Sequence, residues 1–156
     1  MHPNLECFER CVMIQAFTCW QVAARGSASI MQPMATYSEK SGRAPSFEVE
    51  YRFMDEGEGG RALPPHQHTR WDFLYEGDDA VRDGIWMIWP EFIAEDRSVL
   101  PEGEVPMTGR ALMFIVNFDN EQLHRARMSV GTRGSFVEGP RRVAECTVVA
   151  VHWLAE

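Results

Sequence analysis

The chain has 156 residues, an apolar fraction of 45% and a formal net charge of −8, which fits one globular domain with a real hydrophobic core. The acidic balance argues against non-specific attraction to nucleic acid. The most apolar stretch, VMIQAFTCWQVAA, is too short and too interrupted to span a bilayer.

Residues 1–45 read as an N-terminal extension and linker, and residues 46–156 as a β-barrel domain. The extension holds Cys7, Cys11 and Cys19, with Cys146 far away and no CxxC pair. That spacing suits neither a zinc site nor a disulfide framework, and points to reduced thiols in a cytoplasmic protein. Glu6 and Glu9 beside a single Arg10 do not make the basic start of a signal peptide. The run ARGSASIMQPMATYSEKSGRAPS is rich in Ser, Gly and Pro and reads as a linker. Met31 or Met34 fits a native start, which would leave residues 1–30 over-called; the rival reading is a short docking helix, so the extension is expected to be irregular, disordered or partly helical.

From Phe47 the pattern is period two. FEVEYRFM sets Phe47, Val49, Tyr51 and Phe53 on one face and Glu48, Glu50 and Arg52 on the other, a half-buried strand. The run EGEGGRALPPHQHTR follows. It lacks the lysine and the spacing of a P-loop, and prolines stand where a dinucleotide site needs a helix. No nucleotide is expected there. Gly59 and Gly60 are read as positive-φ residues of a hairpin connection, with Pro64 shaping the loop.

WDFLY places Trp71, Phe73 and Tyr75 together. IWMIWPEFI, residues 85–93, is apolar on both faces, and Pro90 requires a bulge, an edge or a strand end. ALMFIVNF, residues 111–118, groups Leu112, Phe114, Val116 and Phe118. HRARMSV reads as a further strand with Ala126, Met128 and Val130 inward and Arg125, Arg127 and Ser129 outward. RRVAECTVVAVHWL, residues 141–154, closes the set. Turn signals separate these runs and no stretch sustains a 3.6-residue period, so an antiparallel sandwich or barrel is expected.

The chemistry-bearing residues are few. His66 and His68 would share a side if extended, and Asp72 or His124 is placed to extend them into a zinc site. A small metalloenzyme is therefore one alternative, against a plain reading of two exposed loop histidines. Arg125 and Arg127, with Arg133, Arg141 and Arg142, form the one basic concentration, suited to phosphate or to cross-strand glutamates. No nucleophile elbow, HExxH or paired-carboxylate motif occurs. The expectation is a non-enzyme with no metal and no cofactor.

FEVEYRFMDEGEGGRALPPHQHTRWDFLY resembles the opening of the C-terminal barrel, the third domain, of translation elongation factor Tu. Gly59, Gly60, Arg61, Pro64, Arg70 and Phe73 fall on the family pattern without a gap. LPEGEVPMTGRALMFIVNF is similar to that family's LPEG, MPGD turn and long apolar strand, and ARMSVGTRG with RRVAECTVVAV resembles its closing hairpin. The likeness spans residues 47–151. It implies an all-β fold, a six-stranded antiparallel Greek-key barrel, and a binding rather than catalytic role. In the full factor this barrel meets its sister domains, the T stem of aminoacyl-tRNA and the exchange factor Ts. The GTPase domain has no counterpart in this sequence. Gln67, His68 and Thr69 replace the family's Lys-Gly-Tyr, which with the net charge weighs against tRNA as the ligand. A translation-linked RNA binder remains the other alternative. The expected module thus binds a protein through Arg61, Arg70 and an exposed Trp71, beside Gln67 and His68, with Arg125 and Arg127 as candidate phosphate contacts and no membrane role.

Overall fold

A computed structural model describes residues 35–153. The readings of residues 1–30, including the alternative start, the docking helix and the first three cysteines, lie outside the described residues. A short helix α1 (Tyr37–Ser41) precedes six strands: β1 (Phe47–Phe53), β2 (Trp71–Tyr75), β3 (Trp86–Ile93), β4 (Thr108–Ile115), β5 (Arg133–Glu138) and β6 (Arg141–Val151), with helix α2 (Glu121–Arg127) between β4 and β5. The strands close into an antiparallel barrel in the order β1-β4-β3-β2-β5-β6. Among the described residues, no helix is long and apolar enough to cross a membrane.

Alternation drives the closure. Phe47, Val49, Tyr51 and Phe53 of β1 meet Trp71, Phe73 and Tyr75 of β2 inside, as their period predicts. Aromatic rings fill the interior edge to face: Tyr51 and Phe92 lie 4.9 Å apart at 73°, Phe73 and Tyr75 5.2 Å at 88°. Gly134 of β5 admits one of these rings, since a Cβ there would stand 2.2 Å from Phe73 Cζ. Two register shifts, at Glu48/Val49 against β6 and at Phe136/Val137 against β6, add the bends that closing a sheet requires.

Two strand readings need correction. The inward set of β4 is Ala111, Met113 and Ile115, the opposite alternation to Leu112, Phe114, Val116 and Phe118. Phe114 is buried from outside, 4.8 Å from the ring of Tyr37 on α1, and Phe118 lies beyond the strand, half exposed in a 3-10 turn. HRARMSV is not a strand. Residues Glu121–Arg127 are helical, with His124 and Met128 buried one turn apart and Ala126 and Val130 exposed. The i,i+4 pair Glu121–Arg125, 2.9 Å, is a helix pairing.

The apolar outer face of residues 85–93 also finds its reason. Tyr37 stacks on Trp89 at 5.1 Å and 19°, so α1 covers the outside of β3 and β4. A reciprocal capping box between Thr36 and Glu39 starts α1, and left-handed Gly42 ends it. The last residues of the expected linker are therefore an ordered strap. The backbone N–H of Tyr37 donates to the carboxylate of Glu91, which is buried on β3 and whose pKa that burial raises.

Candidate functional site

The loop between β1 and β2 crosses one end of the barrel. It is not a hairpin, because β1 pairs with β4 and β6 while β2 pairs with β3 and β5. Asp55 caps a 3-10 turn over Glu56–Glu58 by accepting the N–H of Glu58 at 2.9 Å. Gly59 ends the turn at φ 86, a left-handed position. Gly60 is needed for a different reason from the one expected. Its φ is not positive, but a Cβ there would stand 2.0 Å from the carbonyl oxygen of Met54.

Beyond Gly60 the chain is tied at several points. The guanidinium of Arg61 pairs with Glu138 at 3.3 Å and lies 5.0 Å from the centre of the Trp71 ring. Ala62, Leu63 and Pro64 stand out in solvent, while Pro65 is buried and its carbonyl accepts the N–H of Val105 at 2.9 Å. His66 bridges Glu104, and the N–H of Gln67 donates to Gly103 at 2.8 Å. Across from it, the N–H of Phe53 donates to Met107 at 2.7 Å and the hydroxyl of Tyr51 to Pro106 at 3.1 Å. The loop and the β3–β4 connection thus form one braced platform.

A groove of about 280 Å³ lies on this platform, walled by Phe53–Glu56, by Arg61–Pro65 and by Met107. Leu63 is 69% exposed and Met107 42% exposed, so two aliphatic side chains face water on walls whose backbones are held. Two wider grooves of about 690 and 390 Å³ run along the outer wall and are lined largely by ion pairs. In the first, Arg97 reaches buried Glu48 at 2.7 Å and Arg110 pairs with Glu50 at 2.9 Å. In the second, Arg52 joins Glu58 and Glu145.

The structure separates the expected binding residues. Trp71 is 2% exposed and faces the core, so it is not the exposed anchor the sequence reading made it. Gln67 is buried too. Its carboxamide donates to the carbonyls of Phe92 and Leu100 at 2.9 and 3.0 Å and accepts the N–H of Phe92 at 3.0 Å. Arg70 is exposed, with its guanidinium 3.6 Å from Met87 Sδ. Arg125 and Arg127 do not lie on an outward strand face. Arg127 grips Asp78 with one nitrogen at 2.8 and 2.9 Å and covers the Tyr75 ring at 4.1 Å, and Arg125 is paired with Glu121.

The imidazoles do not converge either. His66 is exposed and His68 turns back at φ 65, 6.5 Å from Trp89, so the pair is not extended. His124 sits under α2 at the opposite end of the barrel, its Nδ1 2.8 Å from the Tyr75 hydroxyl. Burial, seconded by Arg127, lowers its pKa to about 4, and burial pushes Tyr75 up to about 12. Among the described residues no group of three His, Cys, Asp or Glu side chains is arranged to hold a metal ion. What sequence reasoning missed is Leu63. An exposed leucine before two prolines has no periodic signature, and the only cue was its place in a glycine- and proline-punctuated loop.

The molecule is, by its fold, a small closed β-barrel with a braced apolar groove at one end. No protein-family model and no curated protein sequence matches the chain.

Proposed function

We propose that this barrel is a non-catalytic binding module of the kind formed by the third domain of elongation factor Tu, and that it docks a protein partner in the Leu63–Met107 groove. The carrying observation is the pairing of exposed aliphatic side chains with a loop braced on both sides, which lets a partner bury apolar area without ordering the platform first. The strand order β5-β2-β3-β4 supports the finer reading, since three hairpin-linked strands with a fourth returned beside the first make a Greek key. The resemblance of residues 47–151 supports a translation-linked, cytoplasmic setting. Arg61 contributes by stiffening the wall of the groove, and Arg70 stands outside it. An RNA ligand gains little support, because Arg125 and Arg127 are engaged with carboxylates.

The test is comparative affinity capture from a lysate of the source organism, using the full chain and two variants. Leu63→Asp is expected to lose the captured protein, with affinity down at least about tenfold, as for an interface anchor of more than about 1 kcal/mol. Arg70→Ala is expected to retain it. A partner held equally by Leu63→Asp, or a nucleic acid captured in place of a protein, contradicts the proposal.

A further inference from the structure

The chemistry of the partner can be taken one step further, on the basis of the groove reading above. The stretches that build the platform, residues 54–66 and 100–107, carry five carboxylates against one guanidinium, so the charges that remain unpaired decide what the groove attracts. Arg61 is committed to Glu138 and the Trp71 ring. Glu58 is committed to Arg52. Asp55 and Glu56 remain on the groove wall itself, and exposed Glu102 and Glu104 lie on the β3–β4 connection, Glu104 bridged to His66 of the loop. None of these four has an ion pair among the described residues.

We infer that the groove takes an extended polypeptide segment whose aliphatic side chain enters between Leu63 and Met107 and whose flanking lysines or arginines meet Asp55, Glu56, Glu102 and Glu104. The groove has room for a side chain or two, not for a folded face, so the segment is extended and the anchor single. Its charge is set by the acidic lips and by the net charge of −8, which together repel nucleic acid and anionic membranes. Solvent-exposed carboxylates of this kind act mainly on encounter, so association is salt-sensitive while dissociation is governed by the anchor.

The experiment is selection of a random dodecapeptide phage library on the immobilised full chain, followed by biolayer interferometry of the enriched peptides. The expected peptides carry Leu, Met, Ile or Phe between Lys or Arg. Glu56→Lys with Glu104→Lys should slow their association about tenfold, as should high salt, and leave dissociation nearly unchanged. Leu63→Asp should instead accelerate dissociation about tenfold or more. Enriched peptides that are neutral or acidic yet still depend on Leu63 would overturn the basic segment and leave the groove standing. Peptides indifferent to Leu63→Asp, or no enrichment at all, would overturn both.

Discussion

Gln67 shows how one side chain can stand in for a missing strand neighbour. Val116 donates to the carbonyl of Met87, so odd-numbered residues of β3 turn their backbone groups toward β4, and Ile88, Pro90 and Phe92 turn theirs away. On that side β2 starts only at Trp71, opposite Ile88. Pro90 has no N–H to satisfy there, and the peptide groups of Phe92 are met by the Gln67 carboxamide. This explains a proline in the interior of a barrel strand: it occupies the one flank where a ladder bond is absent. Gln67→Ala would orphan the N–H of Phe92 and the carbonyl of Leu100, while the Phe92 carbonyl keeps the N–H of Leu100 at 2.9 Å, and is expected to cost about 2–4 kcal/mol in urea unfolding. A loss below about 0.5 kcal/mol would show that water replaces the carboxamide without penalty. The sequence reading made Gln67 a loop residue on the binding face. Its role depends on a strand 25 positions away, which local pattern does not reveal.

At the scale of elements, α2 is the part of the chain that alternation misrepresented. His124, Ala126, Met128 and Val130 alternate with polar residues, but the positions that pack, His124 and Met128, are one helical turn apart. A segment of seven residues carries both periods, and the choice fell to the long crossing from β4 to β5, which has to cover the barrel end. The consequence is a buried neutral imidazole. An unfolded chain takes up a proton on His124 near the ordinary value of 6.5, while the folded chain resists until about pH 4. Stability from this group is therefore complete above pH 6.5 and is lost as pH falls from there toward 4, on the order of 3 kcal/mol in all. Urea unfolding of the wild type between those limits should show the decline, and His124→Gln should be less stable at neutral pH but flatter across the window. An equally steep decline in His124→Gln would assign the acid sensitivity elsewhere. The same alternation served well in β1 and β2, where one face meets the core and no helix intervenes.

For the whole molecule, short strands punctuated by turn residues and aromatic on one face foretold an antiparallel sandwich or barrel, the resemblance implied the closed six-stranded form, and the strands do close. The sequence did not foretell which outer faces are covered. Trp89, Glu91 and Phe114 point outward and are still shielded, because α1 folds back across β3 and β4. The period of WDFLY set Trp71 on one face with Phe73 and Tyr75, and the structure follows that period into the core rather than the reading of an exposed anchor. The proposed binding surface is what is left when buried Trp71 and Gln67 and the ion-paired Arg61, Arg125 and Arg127 are set aside. There the loop end presents Leu63, Met107 and four exposed carboxylates that have no ion pair among the described residues. The most direct measurement is an amide chemical-shift map of the isotopically labelled full chain titrated with a peptide enriched in the selection. Shifts confined to residues 53–66 and 100–108, with α2 and the β2–β3 turn unmoved, are the result expected. Shifts centred on α2, Arg127 and Asp78, at the far end of the barrel, would contradict it.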